Sequence, residues 1–185
     1  MFIQTETTPN PATLKFIPGR AVMPDGTADF PDAQAGQRSP LAARLFTIPE
    51  VDRVFFGSDF ISVTKRDGDW RHIKPAILGV IMEHFTRGLP LFDSELAAEE
   101  EPVYEGEEAE IVAQIKELID TRVRPAVASD GGDIVFRGFD IGSGTVFLHL
   151  QGSCSGCPSS TITLRNGIEN MLRHYIPEVS GVEAV

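Results

Sequence analysis

The feature that most constrains the fold of this 185-residue chain is a block of acidic side chains near its middle. Residues 93–108 contain eight acidic residues and no basic one. Such a run repels itself and offers little apolar surface to a core, so it favours an extended linker, although a segment that binds a basic partner would have the same composition. We therefore predict two separate domains, residues 1–92 and 109–185, joined by a flexible acidic linker at 93–108.

The charge balance narrows the classes of partner. The chain carries 16 basic and 27 acidic residues, a formal net charge of −11. Nucleic acids and anionic membrane surfaces are recognised by concentrated Lys and Arg, so neither is an expected partner. No stretch has the about 20 mostly apolar residues of a membrane-spanning helix. The first residues lack the apolar core of a signal peptide, because Glu6, Lys15 and three prolines interrupt them.

Both predicted domains mix helices with strands, which is the α+β class. Hydrophobic patterning and turn residues predict strands at 2–5, 14–17, 51–56 and 60–65, and helices at 40–46 and 75–87, in the first domain. Ser39 is the expected N-cap of the first helix, and Gly88 ends the second. The second domain is predicted to have helices at 108–122 and 159–175, strands at 134–139 and 145–150, and a short edge strand at 179–183. Pro125 is expected to limit the helix that begins at 108, and hairpin loops imply antiparallel pairing.

The candidate functional site is a pair of cysteines. Cys154 and Cys157 are the only cysteines of the chain, and they lie between a predicted strand and a predicted helix. A helix N-terminus presents free N–H groups and partial positive charge, which lower the pKa of a thiol and stabilise bound sulfur. Pro158 suits the first helical turn, while Gly152 and Gly156 let the backbone approach closely.

Two thiolates do not complete a four-ligand metal site. His149 is the nearest histidine, and it is either a further ligand or an ordinary sheet-face side chain. A second copy of the chain would supply two more thiolates across a two-fold axis. Three interpretations stay open on the residues alone: a cluster that bridges two chains and is handed on, a dithiol oxidoreductase of thioredoxin type, and a structural zinc dimer or a pair without function. Only 28 residues follow Cys157, which is short for a thioredoxin-like sheet.

The sequence around these cysteines resembles a known family. Residues 152–160, Gly-Ser-Cys-Ser-Gly-Cys-Pro-Ser-Ser, preceded by Ser-Asp-Gly-Gly-Asp at 129–133, are similar to the C-terminal domain of the NifU-like (Nfu) iron–sulfur proteins. Residues 8–11, 14–19 and 55–57 resemble the N-terminal domain of the same family. The resemblance covers nearly the whole chain and places the two domains in the expected order.

This resemblance implies a carrier or late scaffold for iron–sulfur clusters, without enzymatic activity. The family binds a [4Fe–4S] cluster between two subunits, with Cys154 and Cys157 of each chain as the implied ligands, so a homodimer is expected when the cluster is bound. The cluster would come from an upstream donor and pass to apo-proteins such as aconitase-type and radical enzymes, among them lipoate synthase. Larger NifU proteins have further cysteine-containing domains that this chain lacks, so it would act after primary assembly.

Two further expectations concern location and the first domain. The N-terminus favours the bacterial cytoplasm, while a mitochondrial matrix protein whose leader has been removed would look the same. The first domain has no candidate ligand set, because Trp70, His72 and His84 are scattered and are interpreted as fold or surface residues. That domain would either hold clients or donors, or serve stability and solubility.

Overall fold

The structure, a computed structural model, describes residues 2–24, 26–92, 102–152 and 158–185, with side chains of the last helix described from residue 162. The chain divides into two compact units, residues 1–97 and residues 98–185, called here the N-terminal unit and the C-terminal unit. Each unit packs helices on a β-sheet, so the predicted α+β class is confirmed. Within the described ranges, no helix is both long and apolar enough to cross a membrane.

The N-terminal unit is built on a five-stranded antiparallel sheet. Its strands are β1 (Gln4–Thr7), β2 (Thr13–Ile17), β3 (Ala28–Phe30), β4 (Val51–Phe56) and β5 (Ile61–Lys65). Their order across the sheet is β1-β2-β5-β4-β3. The predicted hairpin between residues 51–56 and 60–65 is confirmed, since Phe56 pairs with Ile61 across the turn. The short edge strand β3 was not predicted, because three residues carry too little alternation to reveal a strand.

Three helices cover one face of this sheet: α1 (Ala33–Gly36), α2 (Pro40–Leu45) and α3 (Trp70–Arg87). The predicted cap of α2 is confirmed, because the Ser39 hydroxyl accepts the N–H of Ala42 at 3.3 Å. Along α3, apolar side chains at helical spacing are buried in the same core as those of the strands. The main members of this core are Phe16, Phe30, Phe56, Ile61, Ile73, Ile77 and Ile81.

Helix α3 begins five residues before the predicted start at Pro75. The Asp69 carboxylate accepts the N–H of Arg71 at 2.9 Å and so caps the helix earlier. Pro75 then lies inside the helix, where its missing N–H leaves out one backbone hydrogen bond. The burial of Ile73 in the core offsets that cost. The prediction that the helix starts at Pro75 did not take this burial into account.

The C-terminal unit contains a three-stranded sheet whose apolar side chains share one core with those of its helices. Its elements are α4 (Gly106–Leu118), a π-helical segment (Ile119–Val123), α5 (Arg124–Ser129), β6 (Gly132–Asp140), β7 (Thr145–Gly152), α6 (Pro158–Tyr175) and β8 (Gly181–Ala184). The predicted hairpin of β6 and β7 is antiparallel as expected. The edge strand β8 pairs in parallel with β7, because α6 carries the chain back along the sheet before β8 begins.

The first helix of this unit departs from its predicted bounds at both ends. It begins at Gly106, so the last three residues of the predicted linker, 106–108, are helical; Glu107 and Glu108 favour that start because carboxylates interact well with a helix N-terminus. Most of the rest of the linker, residues 93–101, lies outside the described residues, and its extended conformation stays a prediction. At the other end Pro125 does not end the helical run as predicted. The chain passes through a π turn and continues as α5, which contains Pro125.

Trp70, His72 and His84, which the sequence analysis interpreted as fold or surface residues, all lie on α3. Their environments differ. Trp70 donates its indole N–H to the carbonyl of Pro11 at 3.2 Å, and His72 is exposed. His84 is 1% exposed, and within the described chain its Nδ1 has no hydrogen-bond partner. Burial, and to a lesser degree the charge of Arg44, lower the pKa of His84 below its ordinary value.

A glycine inside α3 and the glycine that caps its end provide a matched test of backbone strain. Gly88 ends the helix at φ +64°, and Gly79 lies in its interior; a Cβ at either would meet no atom within 4 Å. We expect Gly88→Ala to lower the free energy of unfolding of the N-terminal unit by about 1 kcal/mol, because alanine is strained in the left-handed region. Gly79→Ala should raise it by up to about 1 kcal/mol through helix propensity. Urea unfolding followed by fluorescence of Trp70, the single tryptophan, measures both, and equal shifts would contradict this account.

His84 predicts a pH dependence for the same unit. Unfolded His84 takes up a proton below its ordinary pKa of 6.5, whereas the folded, buried ring resists protonation. Stability should therefore be complete above about pH 6.5 and fall as the pH is lowered below it. His84→Leu should weaken this loss between pH 7.5 and 5.5 in Trp70-monitored urea unfolding. The exposed His72→Leu on the same helix is the control and should keep the wild-type pH profile; the same profile for His84→Leu would refute the assignment.

Candidate functional site

The two cysteines belong to a short connection whose two ends the structure fixes. Cys154, Gly156 and Cys157 lie outside the described residues. The connection leaves the sheet at Gly152, the last residue of β7, and enters α6 at Pro158. Five residues, 153–157, join these two points, so in the chain the cysteines come between a paired strand and an 18-residue helix.

Where this connection begins, the two paired strands β6 and β7 both have a glycine. Gly152 has φ +65°, a conformation that costs a residue with a side chain roughly 1–2 kcal/mol. It pairs with Gly132 of β6, and Gly131 beside it has φ +81°. The Gly131–Gly132 part of the predicted turn is thus the neighbour of the cysteine connection, and neither strand places a side chain at that pair.

A buried ion pair holds this end of the sheet. Asp133, which is 3% exposed, accepts two hydrogen bonds from Arg124, at 2.9 Å from Nε and 2.8 Å from Nη2. Asp133 pairs in register with Gln151, the residue before Gly152. Two parallel hydrogen bonds between a guanidinium and a carboxylate fix both position and orientation. The pair therefore ties α5, where Arg124 is the first residue, to the beginning of β6, which is the strand beside the end of β7.

The charges around Arg124 keep it ionised. The hydrogen bonds to Asp133 raise the pKa of Arg124 above its ordinary value, against the opposing effect of burial. Asp120 adds a second carboxylate, with its Oδ1 at 3.1 Å from Nη1 of Arg124. Asp120 belongs to the π-helical segment, and Arg124 directly follows its last residue, Val123. In a regular α-helix the ring of Pro125 would press against the carbonyl of Thr121, and a π turn, which is wider, relieves that contact.

Sequence reasoning missed the partnership of Arg124 with Asp133. Asp133 belongs to the glycine-rich motif that was singled out, but its partner is nine residues earlier, a separation that signals no helical or cross-strand contact. The clue that could have found the pair is a carboxylate directly before the apolar strand 134–139, since an acidic residue in a buried position needs a cation.

His149, the alternative ligand, is engaged in a contact of its own. Its Nδ1 lies 2.7 Å from the main-chain oxygen of Val185, and because that oxygen only accepts, Nδ1 is the donor. His149 pairs with Val135 in the middle of the hairpin, three residues before Gly152. Among the described residues, no group of three or more His, Cys, Asp or Glu side chains could hold a metal ion.

Helix α6 supplies the other side of the site. Its buried residues Ile168 and Leu172 pack in the core of the C-terminal unit, so the helix is anchored through its second half. Basic side chains, Arg173 and His174, lie in its last turn and complement the helix dipole. The first turn, at the cysteine connection, then presents the positive end of that dipole, which is the environment expected to stabilise thiolates.

Comparison with known proteins agrees with the resemblance at both ends of the chain. A family model described as "Scaffold protein Nfu/NifU N terminal" matches residues 3–88, and one described as "NifU-like domain" matches residues 115–183. Together the two matches cover most of the N-terminal unit and most of the C-terminal unit.

The chain is also similar over its whole length to curated proteins. It is 54% identical over 185 residues to "NifU-like protein 4, mitochondrial" of Arabidopsis thaliana, covering 99% of this chain and 65% of that protein. It is 56% identical over 187 residues to "NFU1 iron-sulfur cluster scaffold homolog, mitochondrial" of Homo sapiens, covering 100% of this chain and 72% of that protein. The chain thus spans about two thirds of the length of these relatives. On these matches it belongs to the NifU-like (Nfu) family.

Proposed function

We propose that this chain is an iron–sulfur cluster carrier or late scaffold that binds a [4Fe–4S] cluster between two copies of itself and transfers it to apo-proteins. The observation that supports this most is the position of Cys154 and Cys157, in the five-residue connection between Gly152 and Pro158. One chain offers two thiolates and a four-iron cluster takes four, so two copies complete the ligand set. The human relative is named as an iron–sulfur cluster scaffold homolog, which agrees with this role.

The cluster is cargo, and the proposed chemistry is ligand exchange. Thiolates of the client protein bind cluster iron and displace Cys154 and Cys157 one after another, so each iron–sulfur bond that breaks is replaced by another. No proton donor or catalytic base is needed, and the protein is therefore proposed not to be an enzyme. In this proposal the thiolates sit on a five-residue connection between a paired strand and a helix, where a client can reach them, which favours exchange over storage.

A dithiol oxidoreductase is the alternative function, and an experiment must distinguish it from the cluster carrier. A thioredoxin-like sheet needs several strands after the helix that follows the cysteines. Within the described part of the chain, the four-residue β8 is the strand that follows α6, and it is an edge strand. The architecture of the C-terminal unit thus favours the carrier.

For location we propose the mitochondrial matrix. The Arabidopsis and human relatives both carry the word mitochondrial in their names. The earlier expectation of a bacterial cytoplasm has no support in these relatives. Partners would be an upstream cluster donor and apo-proteins that receive a four-iron cluster.

Anaerobic reconstitution with iron and sulfide tests the proposed function directly. We expect about two iron and two sulfide per chain, a dimer by native mass, and Mössbauer parameters of a four-iron cluster. Cys154→Ser and Cys157→Ser should each abolish cluster binding, while Ser155→Ala, in the same connection, retains it. The apo-forms should unfold like the wild type, because the cysteines contribute no core contact in this proposal. A chain that binds no iron but forms a reversible disulfide as a monomer would establish the oxidoreductase instead.

The Arg124–Asp133 pair predicts a second result. Arg124→Met removes the guanidinium and its two hydrogen bonds from the buried carboxylate of Asp133, and we expect the C-terminal unit to lose about 2 kcal/mol of unfolding free energy. The bound cluster should also be lost faster to an iron chelator, since the strand end before Cys154 is no longer held. Fluorescence of Tyr104 and Tyr175, the two tyrosines, reports on unfolding of this unit.

Arg122→Met is the matched control for that variant. Arg122 lies in the π-helical segment and stacks over the ring of Tyr175 at 5.1 Å, away from Asp133. Its loss should cost less than about 1 kcal/mol and leave cluster release unchanged. Equal release rates for Arg122→Met and Arg124→Met would contradict a positioning role for Arg124, whatever their stabilities.

A further inference from the structure

One stripe of α6 borders the buried face of the helix without entering the core. Ile162, Arg165 and Glu169 recur at spacings of three and four residues, so they follow one another along the same side of the helix. Glu169 accepts the N–H of Val182 at 3.3 Å, which fixes this side of α6 against β8. Nearer the cysteines the stripe is open to solvent, because Ile162 is 57% exposed and Arg165 is exposed.

An open groove of about 200 Å³ lies between this stripe and the end of β8. Its described lining is Ile162 and Arg165 from α6 with Glu183 and Ala184 from β8, called here the α6–β8 groove. Arg165 and Glu183 form no ion pair with any described residue. The groove therefore combines an exposed apolar side chain with one unpaired positive and one unpaired negative charge.

The position of the α6–β8 groove relates it to the cysteine connection. Ile162 is four residues after Pro158, about 6 Å along the helix axis. Strand β8 runs parallel to β7, so the end of β8 that carries Glu183 points the same way as the end of β7 that leads to Cys154. Glu183 pairs with Phe147, five residues before Gly152, so a partner seated in this groove would lie beside the first half of α6.

The charges of the groove match a second copy of the same groove. In a two-fold symmetric contact, a residue of one protomer meets its complement on the other, and the reverse contact follows by symmetry. Arg165 of one protomer can thus pair with Glu183 of the partner subunit, and Glu183 with Arg165 of the partner subunit. A partner of one charge sign would satisfy only one of the two groups.

We propose that the α6–β8 groove is the protein contact of the homodimer that holds the cluster, with Arg165 and Glu183 paired across the two-fold axis. This inference rests on the proposed function, in which two copies must approach each other at the cysteine connection. The contact is small compared with the about 1,200 Å² buried in stable complexes, so the groove and the shared cluster hold the dimer together. The paired charges fix its symmetry and register.

Charge reversal tests the pairing between chains. Arg165→Glu gives a groove with two negative charges, and Glu183→Arg gives one with two positive charges. Each variant alone, reconstituted with iron and sulfide as the full chain, should dimerise at least about tenfold more weakly than the wild type, because both contacts of the dimer become repulsive. An equimolar mixture of the two variants should restore dimerisation as a heterodimer with about two iron per chain. Anaerobic sedimentation velocity and native mass measure the association.

The mixture separates a contact between chains from any effect within one chain. Glu117→Arg, an exposed reversal on α4, is the control and should dimerise like the wild type. Single variants that dimerise like this control would overturn the groove contact while leaving the proposed function intact. Weakened variants that fail to complement each other in the mixture would overturn it as well. A wild-type chain that binds no cluster would overturn the proposed function itself, and the dimer contact with it.

Discussion

The C-terminal unit depends on the register in which β6 and β7 pair. Gly132 faces Gly152 and Asp133 faces Gln151, so the glycine-rich turn and the strand end before the cysteines meet at one edge. A shift of one residue would turn Ile134 out of the core if β6 moved, or Leu148 if β7 moved, and both are at most 2% exposed. Burial of the apolar face thus fixes the register, and the register fixes what lies beside Cys154.

The same hairpin is held at both ends by side chains from outside the sheet. Its register shifts between Phe136 and Gly138, and there the hydroxyl of Tyr104 accepts the N–H of Phe139 at 3.0 Å. At the other end Arg124 binds Asp133 through two hydrogen bonds. These contacts join α5 and the segment before α4 to β6, and so hold the hairpin whose second strand ends at Gly152.

Local signals in the sequence predicted most of the elements and missed those set by tertiary contacts. Ser39, Gly88 and the hairpin of β4 and β5 were predicted because caps, left-handed glycines and tight turns act over a few residues. Proline was the main source of error: Pro75 lies within α3 and Pro125 within a helical run, because burial of neighbouring apolar residues outweighs one missing hydrogen bond. The parallel pairing of β8 also depends on where α6 packs, which no local pattern contains.

For the candidate site, too, some features follow from the sequence and others from tertiary contacts. The sequence by itself determined the two thiols, their spacing, their place between a strand and a helix, and the acidic run that separates two domain-sized halves, because these follow from residue identity and local patterning. Only the tertiary structure decided that Arg124 binds Asp133, that Glu183 of β8 lines one groove with Arg165 of α6, and that His149 donates to Val185. Those contacts join residues up to 36 positions apart, and packing of the core, not sequence spacing, brings them together.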